Sequence, residues 1–292
     1  MVAGCSWHLE FSVLICESMR INRRVFIKGL LGAAAAGGLS YPTLLEPWSL
    51  VVEKVPVKIP ALPNALEGFR MVQLSDLHFR PFTTLGQIAQ TVEKVNTLAA
   101  DLVVITGDLI TRSGEAIDEL APALARLQAR HGVICALGNH DMWHQPARIT
   151  SRLRKEGIDV LRNQGRTIPV GKAGLFIAGV DSIWGGHPDL SAALEKRRSS
   201  RPTILLAHEP DTVELWPAEA GVDLQLSGHT HGGQVCLPLV GPPTLPIWGR
   251  KYWKGLYRVG AAQVYTNRGI GCTGLPVRFG STPEITLLEL QG

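Results

Sequence analysis

The stretch Gly132-Val-Ile-Cys-Ala-Leu-Gly-Asn-His-Asp141 decides how the rest of the chain is interpreted. Its first six residues are apolar and partly β-branched, and Gly138 ends the run, which is typical of a short buried strand that stops in a tight turn. An amide, an imidazole and a carboxylate then follow at Asn139, His140 and Asp141. Open α/β folds keep their functional sites at the carboxyl ends of strands. Taken alone, the stretch also fits a turn whose polar side chains satisfy backbone groups.

Four further apolar segments end in the same way. They are Phe69–Leu74, Asp101–Thr106, Thr203–Ala207 and Leu224–Ser227, followed respectively by Asp76 and His78, by Asp108, by His208, and by His229 and His231. One such pair would mean little, because a lone histidine is more often a hydrogen-bonded core residue than a ligand. Repetition at five strands is hard to attribute to packing, because buried carboxylates and imidazoles are costly unless they are paired. The pattern predicts a metal site at the strand ends.

Helical patterns alternate with these strands. Thr84 and Gln87 have the spacing of a capping box, and apolar residues then recur on one helical face at Leu85, Ile88, Ala89, Val92, Val95 and Ala99. Further helices are predicted at 117–127 and 146–156, and further strands at 51–59, 158–161, 175–180, 262–266 and 285–290. The alternation predicts an α/β layered fold with at least partly parallel sheets. Without a visible linker or repeat, residues 51–292 are predicted to form one catalytic domain.

Composition and charge fit a globular protein with a substantial core. The 292 residues are 45% hydrophobic and 18% charged, with a formal net charge of +4. Much of the excess lies in the first forty residues, where Arg20, Arg23, Arg24 and Lys28 face only Glu10 and Glu17. The remainder is nearly neutral, so we expect no nucleic-acid partner. The five cysteines lack paired spacing, which disfavours a disulfide framework or a zinc knuckle.

Residues 22–40 resemble a twin-arginine export signal. Arg23 and Arg24 precede an aromatic residue, Lys28 and a mild Gly/Ala-rich run that is too short for a confident membrane span. Glycine pairs also disfavour an ordinary amphipathic helix. We therefore expect export by the twin-arginine machinery, to the periplasm or the outer face of the cytoplasmic membrane. Residues 1–18 fit this signal poorly, which makes Met19 an alternative start, and residues 1–50 are interpreted as a signal or an uncleaved tether.

In their order, the five strand-end blocks resemble the calcineurin-like metallophosphoesterases. The blocks are Asp76-Leu-His78, Gly107-Asp108, Gly138-Asn-His-Asp141, His208 and Gly228-His-Thr-His231, within about residues 65–235. The resemblance implies a four-layer αββα sandwich with two mixed β-sheets and a dinuclear metal site at the strand ends. It also implies two sites that share Asp108: one built by Asp76, His78, Asp108 and His231, the other by Asp108, Asn139, His208 and His229.

The same resemblance implies catalytic roles. Asp108 would bridge the two ions, because a carboxylate can span cations about 3.5–4 Å apart. Nitrogen and oxygen donors leave Mn, Fe or Zn open as the metal. His140 would protonate the leaving oxygen while water activated by the ions attacks phosphorus. Asp141 would orient His140, or it would cap the helix that begins near Pro146.

These roles predict a two-metal phosphodiesterase that acts on a cell-envelope or lipid-linked phosphoester. The tail from Gly232 onward, with residues 249–258, 267–271 and 274–280, resembles a bacterial branch of exported or membrane-associated phosphodiesterases, with relatives that cleave the pyrophosphate of UDP-diacylglucosamine. Such a pyrophosphatase, a nucleotide phosphodiesterase and a non-catalytic metal-binding protein remain alternatives. Within 237–253, Trp248 and Trp253 flank Arg250 and Lys251, which fits either a lipid-facing loop or one packed over the core. The guanidinium groups of Arg268 and Arg278 fit either phosphate contacts or structural roles.

Overall fold

Residues 40–198 and 201–292 are described in the computed structural model. The predicted export signal, with Arg23, Arg24 and Lys28, lies outside the described residues. Across the described ranges, no helix combines the length and the apolar character that crossing a bilayer requires.

Twelve strands and five α-helices alternate along the described chain. The strands are β1 (Val51–Lys58), β2 (Arg70–Leu74), β3 (Leu102–Thr106), β4 (Val133–Ala136), β5 (Asp159–Val160), β6 (Gln164–Val170), β7 (Ala173–Gly179), β8 (Thr203–Leu206), β9 (Leu224–Ser227), β10 (Gly255–Val259), β11 (Ala262–Thr266) and β12 (Glu284–Gln291). The helices are α1 (Leu85–Asn96), α2 (Ile117–Leu124), α3 (Asn139–Trp143), α4 (Pro146–Lys155) and α5 (Leu190–Leu194).

The strands form two mixed sheets of six strands each. The first has the order β1-β12-β2-β3-β4-β5, in which only β12 and β2 pair antiparallel. The second has the order β10-β11-β9-β8-β7-β6, in which the two edge strands β10 and β6 run antiparallel to their neighbours. The parallel strands β2, β3 and β4 therefore end at one edge of their sheet, and β8 and β9 end together in the other sheet.

Three apolar clusters separate four layers. The first joins α1, α2 and α4 to one face of the first sheet, as where Val92 and Leu153 share a cluster with Val103. The second lies between the sheets and includes Leu102 from one and Leu206 from the other. The third packs α5 on the outer face of the second sheet. Burial of each of these aliphatic side chains stabilises the fold by about 1.5–3 kcal/mol. The order helices, sheet, sheet, helix confirms the predicted αββα sandwich.

Helix α1 begins as predicted but ends earlier. The backbone N–H of Thr84 donates to Gln87 Oε1 at 2.8 Å, and Gln87 N–H donates back to Thr84 Oγ1 at 3.3 Å. The buried face contains Ile88, Val92 and Val95. The predicted face was wrong at both ends: Leu85 is exposed in the first turn, and Ala99 lies beyond the last helical residue, Asn96, and is also exposed.

The folded body begins before residue 51. Tyr41–Leu45 and Glu46–Trp48 form helical turns rather than a free tether. Glu46 is buried, and its Oε1 accepts from the Ser281 N–H at 2.7 Å. The Arg278 N–H donates to the Pro42 carbonyl at 2.9 Å. These contacts show that the folded body includes described residues before 51, which corrects the predicted boundary at that residue.

Candidate active site

The two sheets bring their strand-end side chains together in one place. The backbone N–H of His229, after β9, donates to both carboxylate oxygens of Asp76, after β2, at 3.0 Å each. His208, after β8, contacts the carbonyl of Thr106, at the end of β3, through Nδ1 at 2.7 Å. Residues more than a hundred positions apart therefore meet because parallel strands end at a common edge.

Two groups of potential ligands meet at Asp108. Asp76, His78 and His231 form the first group, with the Nε2 atoms of the two histidines 3.0 Å apart. Asp108, His208 and His229 form the second. Asp108 Oδ2 lies 3.5 Å from His78 Nε2 and 3.2 Å from His208 Nε2, so this carboxylate lies between the groups. That position suits the bridging role that the motif order implies.

Several buried polar atoms of the cluster have no hydrogen-bond partner. These buried, unpartnered atoms include Asn139 Oδ1, His208 Nε2 and His78 Nδ1. Unpartnered buried polar atoms are costly. Divalent cations would satisfy Asn139 Oδ1 and His208 Nε2, and the carboxylate, amide and imidazole donors suit Mn, Fe or Zn. The residues therefore fit two cations, and the predicted ligand sets stay a prediction.

Backbone strain is concentrated at the same residues. Five of the predicted ligands have positive φ angles: Asp76 (49°), His78 (42°), Asp108 (53°), His229 (71°) and His231 (52°). A non-glycine residue in the left-handed region costs about 1–2 kcal/mol. Such strain persists where the surrounding structure enforces it, and it clusters at functional sites.

Two glycines allow the strand-end turns to approach one another. A Cβ at Gly228 would lie 1.9 Å from Ser75 Oγ and 2.1 Å from Asp76 Oδ2. A Cβ at Gly138 would lie 2.3 Å from Asp108 Oδ1. Any side chain at either position would displace a candidate ligand. The glycines of the motifs are therefore part of the site's geometry.

Backbone carbonyls select which histidine nitrogen faces the cluster. The Thr106 carbonyl accepts from His208 Nδ1, and the Ile247 carbonyl accepts from His229 Nε2 at 2.8 Å. Because a carbonyl can only accept, each of these nitrogens carries the proton. In the neutral rings, His208 Nε2 and His229 Nδ1 then offer lone pairs to a cation. Burial acts to lower the pKa of His208, but Asp108 and Asp76 outweigh it and raise that pKa, so a cation at Nε2 would displace a proton.

Burial and charge set the protonation of the cluster. Burial raises the pKa of Asp76 to about 6, where Asp108 adds to the rise and His208 opposes it. Burial also acts to raise the pKa of Asp108, but His208 and His78 outweigh it and hold that pKa below its usual range. Burial lowers the pKa of His78 to about 3 and lowers that of His231 as well. Neutral imidazoles are the form that binds metals.

His140 lies beside the cluster, oriented by a backbone group. Its Nδ1 is 2.8 Å from the Thr111 carbonyl, which fixes the proton on Nδ1 and leaves Nε2 for the cleft. The side chain also lies within ligand distance of His78 and Asp108. An imidazole in this position can reach a phosphoester held at the cluster.

Asp141 does not orient the His140 ring, and this expectation was wrong. Its Oδ1 accepts from the N–H groups of Leu109 (2.9 Å) and Ile110 (3.3 Å), and its Oδ2 accepts from Gly138 N–H (3.0 Å). Nor does it cap α4, whose N-cap is Gln145. Asp141 instead stands in the first turn of α3 and ties that turn to the segment after β3.

The two arginines considered for phosphate contact have structural roles. Arg278 is fully buried and donates to the carbonyls of Arg268 (2.9 Å) and Ser281 (2.8 Å). Its Nη2 lies 3.4 Å from His231 Nδ1, behind the cluster. Arg268 pairs with Glu53 and Glu284. Sequence patterns could not show this, because any residue type supplies the carbonyls that hold Arg278, and the carboxylates that hold Arg268 come from β1 and β12.

The loop around Trp253 packs over the body. Trp248 and Trp253 are partly buried. The Asp211 carboxylate accepts from the backbone N–H groups of residues 250–252, and Lys251 pairs with Glu214 at 2.5 Å. These contacts favour the packed alternative for residues 248–253.

A cleft of about 390 Å³ opens over the cluster. Its lining contains the candidate ligands His78, Asp108, Asn139, His229 and His231 together with His140. Trp143 and Trp184 also line it, and the sequence patterns did not single them out. The arrangement can hold a phosphoester at two cations with a proton donor beside it.

Comparisons with known proteins agree with this geometry. The sequence model of the family described as calcineurin-like phosphoesterase matches residues 69–233. The chain is 36% identical over 282 residues to the uncharacterized metallophosphoesterase YkuE of Bacillus subtilis strain 168, covering 93% of this chain and 98% of that one. It is 30% identical over 279 residues to the phosphodiesterase YaeI of Escherichia coli strain K12, covering 92% and 99%.

Among solved structures, the sulfate thiohydrolase SoxB of Thermus thermophilus has the same fold, with a TM-score of 0.50 at 15% identity. That match covers 77% of this chain and 57% of SoxB. The strand-end cluster, the match of the family model and the two full-length relatives lead to one conclusion: the chain belongs to the calcineurin-like metallophosphoesterases, a family of metal-dependent phosphoester hydrolases.

Proposed function

We propose that this chain is a two-metal phosphodiesterase that acts on a cell-envelope or lipid-linked phosphoester outside the cytoplasm. The observation that carries the hydrolytic part is the position of Asp108 between two groups of ligands. One cation would be held by Asp76, His78, Asp108 and His231, and the other by Asp108, Asn139, His208 and His229. When bound, the cations supply Lewis-acid chemistry that polarises phosphoryl oxygens and lowers the pKa of water.

The chain's own residues supply proton transfer and orientation. His140 presents Nε2 to the cleft and, when protonated there, donates that proton to the leaving oxygen. The Thr111 carbonyl holds the ring in this orientation. The His140 backbone N–H donates to Asp108 Oδ1 at 2.9 Å, which links the proton donor to the bridging carboxylate. Asn139 and His140 are neighbours in α3, so the helix fixes the proton donor relative to this candidate ligand.

An exposed apolar groove, whose lining residues 236–241 follow the cleft-lining residues 233–234 along the chain, supports a lipid-linked substrate. It has a volume of about 600 Å³ and is lined by Tyr41, Leu237, Leu239, Val240 and Phe279 among others. Leu239 is fully exposed, and Val240 is largely exposed. Residues 233–234 of the connecting segment line the catalytic cleft. Apolar surface of this kind marks interaction sites and suits the acyl region of a membrane.

A substrate screen tests the proposed activity. The Mn²⁺-reconstituted chain would be assayed against a phospholipid diester, UDP-diacylglucosamine, cyclic and linear nucleotides, and phosphomonoesters. We expect the lipid-linked diester to be cleaved with the highest kcat/KM. Preferential cleavage of UDP-diacylglucosamine or of nucleotides would replace the substrate assignment with the corresponding alternative. Metal binding without turnover on any ester would contradict hydrolysis itself.

Liposome co-sedimentation tests the lipid contact. Residues 40–292 contain both sheets and all three apolar clusters. We expect this body to sediment with vesicles, and Leu239→Asp with Val240→Asp to abolish sedimentation. Leu215→Asp is the matched control, because Leu215 is also exposed but lies outside the groove. Equal sedimentation of the three proteins would contradict a role for the groove.

The location is proposed from the twin arginines. Replacement of Arg23 and Arg24 by lysine should retain the precursor in the cytoplasm, because the export receptor reads the arginine pair. Cell fractionation of the two proteins measures this directly. Unchanged export of the double variant would contradict the twin-arginine route.

A further inference from the structure

Two exposed indole rings form one wall of the catalytic cleft. Trp143, in α3, and Trp184, in the loop after β7, are 44% and 42% exposed. Their ring centroids are 5.0 Å apart at an interplanar angle of 78°. Both rings line the cleft over the ligand cluster. Large apolar side chains exposed in a concave site are a feature of ligand recognition.

The wall begins at the candidate proton donor. The Trp143 ring lies 5.1 Å from the His140 ring, and the Trp184 ring lies 5.5 Å from the ring of His229. A group that leaves from phosphorus with a proton from His140 must therefore depart next to Trp143. The indoles face the part of the substrate that leaves.

The backbone of the loop that carries Trp184 is held by a buried carboxylate. Glu209 is almost completely buried, and it accepts from Ile183 N–H at 3.3 Å, from Trp184 N–H at 3.4 Å and from Ser182 Oγ. Gly185 packs against α3 so closely that a Cβ there would lie 2.8 Å from Met142 Cβ. The wall is therefore a built part of the fold, and its exposed rings are held in place for contact.

The rest of the cleft selects for an uncharged ring. Leu245 and Pro246 add apolar lining beside the indoles. Among the described residues that line the cleft, none is a lysine or an arginine. A leaving group with a further phosphate would thus find no cationic side chain here, whereas a flat ring gains stacking on the indoles.

We propose that Trp143 and Trp184 bind the leaving alcohol of the phosphodiester and that this alcohol carries a flat aromatic ring. The inference rests on the proposed hydrolysis and names its substrate class. In the step, the water oxygen bonds to phosphorus and the bond from phosphorus to the alcohol oxygen breaks. His140 gives its proton to that oxygen and regains one from the attacking water, so that diester and water yield monoester and alcohol.

A matched pair of diesters tests the wall. Dibenzyl phosphate and bis(cyclohexylmethyl) phosphate are similar in size, but only the first offers flat rings. We expect Trp143→Leu and Trp184→Leu each to raise KM for dibenzyl phosphate about threefold to tenfold with kcat within about twofold. KM for the cyclohexylmethyl ester should stay unchanged, and the Phe variants should restore stacking. Trp48→Leu is the control, because Trp48 is 47% exposed outside the cleft.

Fluorescence separates failure of the wall from failure of the proposed function. Dibenzyl phosphate should quench indole fluorescence in the wild-type chain and not in the double variant Trp143→Leu with Trp184→Leu, whether or not the ester is hydrolysed. Product inhibition tests the ring: benzyl alcohol should inhibit more strongly than methyl glucoside, and stronger inhibition by methyl glucoside would overturn the aromatic assignment. Equal KM changes for both diesters, or quenching that persists in the double variant, would overturn the inference.

Discussion

At Asp108, a single carboxylate meets both groups of candidate ligands and also accepts from the His140 backbone. Its φ of 53° turns the side chain back toward the cluster, which an extended residue at the end of β3 would not achieve. The cost of that conformation is offset when a cation engages the carboxylate. Binding and strain are thus concentrated at the same residue.

His140→Ala should retain both metals and lose most turnover. Removal of a general acid costs about 10²–10⁴ in rate, and the loss should be smallest for bis(4-nitrophenyl) phosphate, whose leaving group needs little protonation. Rates on this ester and on a dialkyl phosphate measure the difference. His187→Ala, at an exposed histidine outside the cleft, is the control. Full activity of His140→Ala on the dialkyl ester would remove His140 from the mechanism.

Metal-ligand candidates could be predicted from the sequence because each follows an apolar strand directly. The groups that position them could not. Thr111 orients His140 with its backbone carbonyl, which any residue type could supply. Glu209 accepts from the backbone N–H of Ile183, 26 residues earlier, so no local sequence pattern reveals the contact. Asp141 was assigned the wrong partner for the same reason. Arg278 is indistinguishable in sequence from a surface arginine until its carbonyl partners are known.

The turns that join the strands to the site tolerate as little change as the ligands themselves. Gly228→Ala should disrupt the first group of ligands, because the added methyl would meet Asp76 and Ser75 at about 2 Å. We expect loss of metal from that group and of activity, with the folded structure kept. Metal analysis and circular dichroism measure the two effects.

Gly86→Ala is the control for that variant. Gly86 lies in α1, and its Cβ would be 3.8 Å from the nearest atom, Thr84 Oγ1. Alanine in a helix is favoured by up to about 1 kcal/mol over glycine. Stability should therefore rise or stay level with full activity. Equal metal content in Gly228→Ala and Gly86→Ala would contradict the steric argument.

Buried strands and long helices followed from apolar periodicity, whereas edge elements did not. β6 and β10 were not predicted, because each is an antiparallel edge strand whose residues are mostly exposed or half-buried and show no continuous apolar run. The short α3 was read as a turn, since five residues carry no helical period. The parallel pairing of β1 with β12 is also invisible locally, because it joins the two ends of the body.

For the whole molecule, the cluster lies where the two sheets meet, so bound cations should stabilise the sandwich. A ligand at a hundred times its dissociation constant stabilises by about 2.7 kcal/mol, or about 5–10 °C in Tm for a chain of this size. We expect a rise of this order when Mn²⁺ is added to chelator-treated protein at pH 7.5. Thermal unfolding followed by circular dichroism measures it.

That rise should shrink as the pH falls. Burial raises the pKa of Asp76 to about 6 in the metal-free fold, above its ordinary value of 3.8. The stability that this raised pKa contributes is fully present below pH 3.8 and is lost as the pH rises through 6. Asp76 alone therefore makes the metal-free fold less stable as the pH rises from 4 to 6, whereas His78, whose pKa burial lowers to about 3, makes it less stable as the pH falls from 6.5 toward 3. The metal-induced rise shrinks at low pH because protons compete with the metal for the ligands. A metal-induced Tm rise as large at pH 5 as at pH 7.5 would contradict this linkage.

Metal stoichiometry tests the central claim most directly, namely that Asp108 joins two cation sites into one catalytic centre. Inductively coupled plasma mass spectrometry would be applied to Mn²⁺-saturated, gel-filtered wild-type chain and to Asp108→Asn. The geometry predicts two ions per chain in the wild type and loss of both in the variant, because the neutral amide removes the shared anionic ligand. A single ion in the wild type, or a full complement in Asp108→Asn, would contradict it.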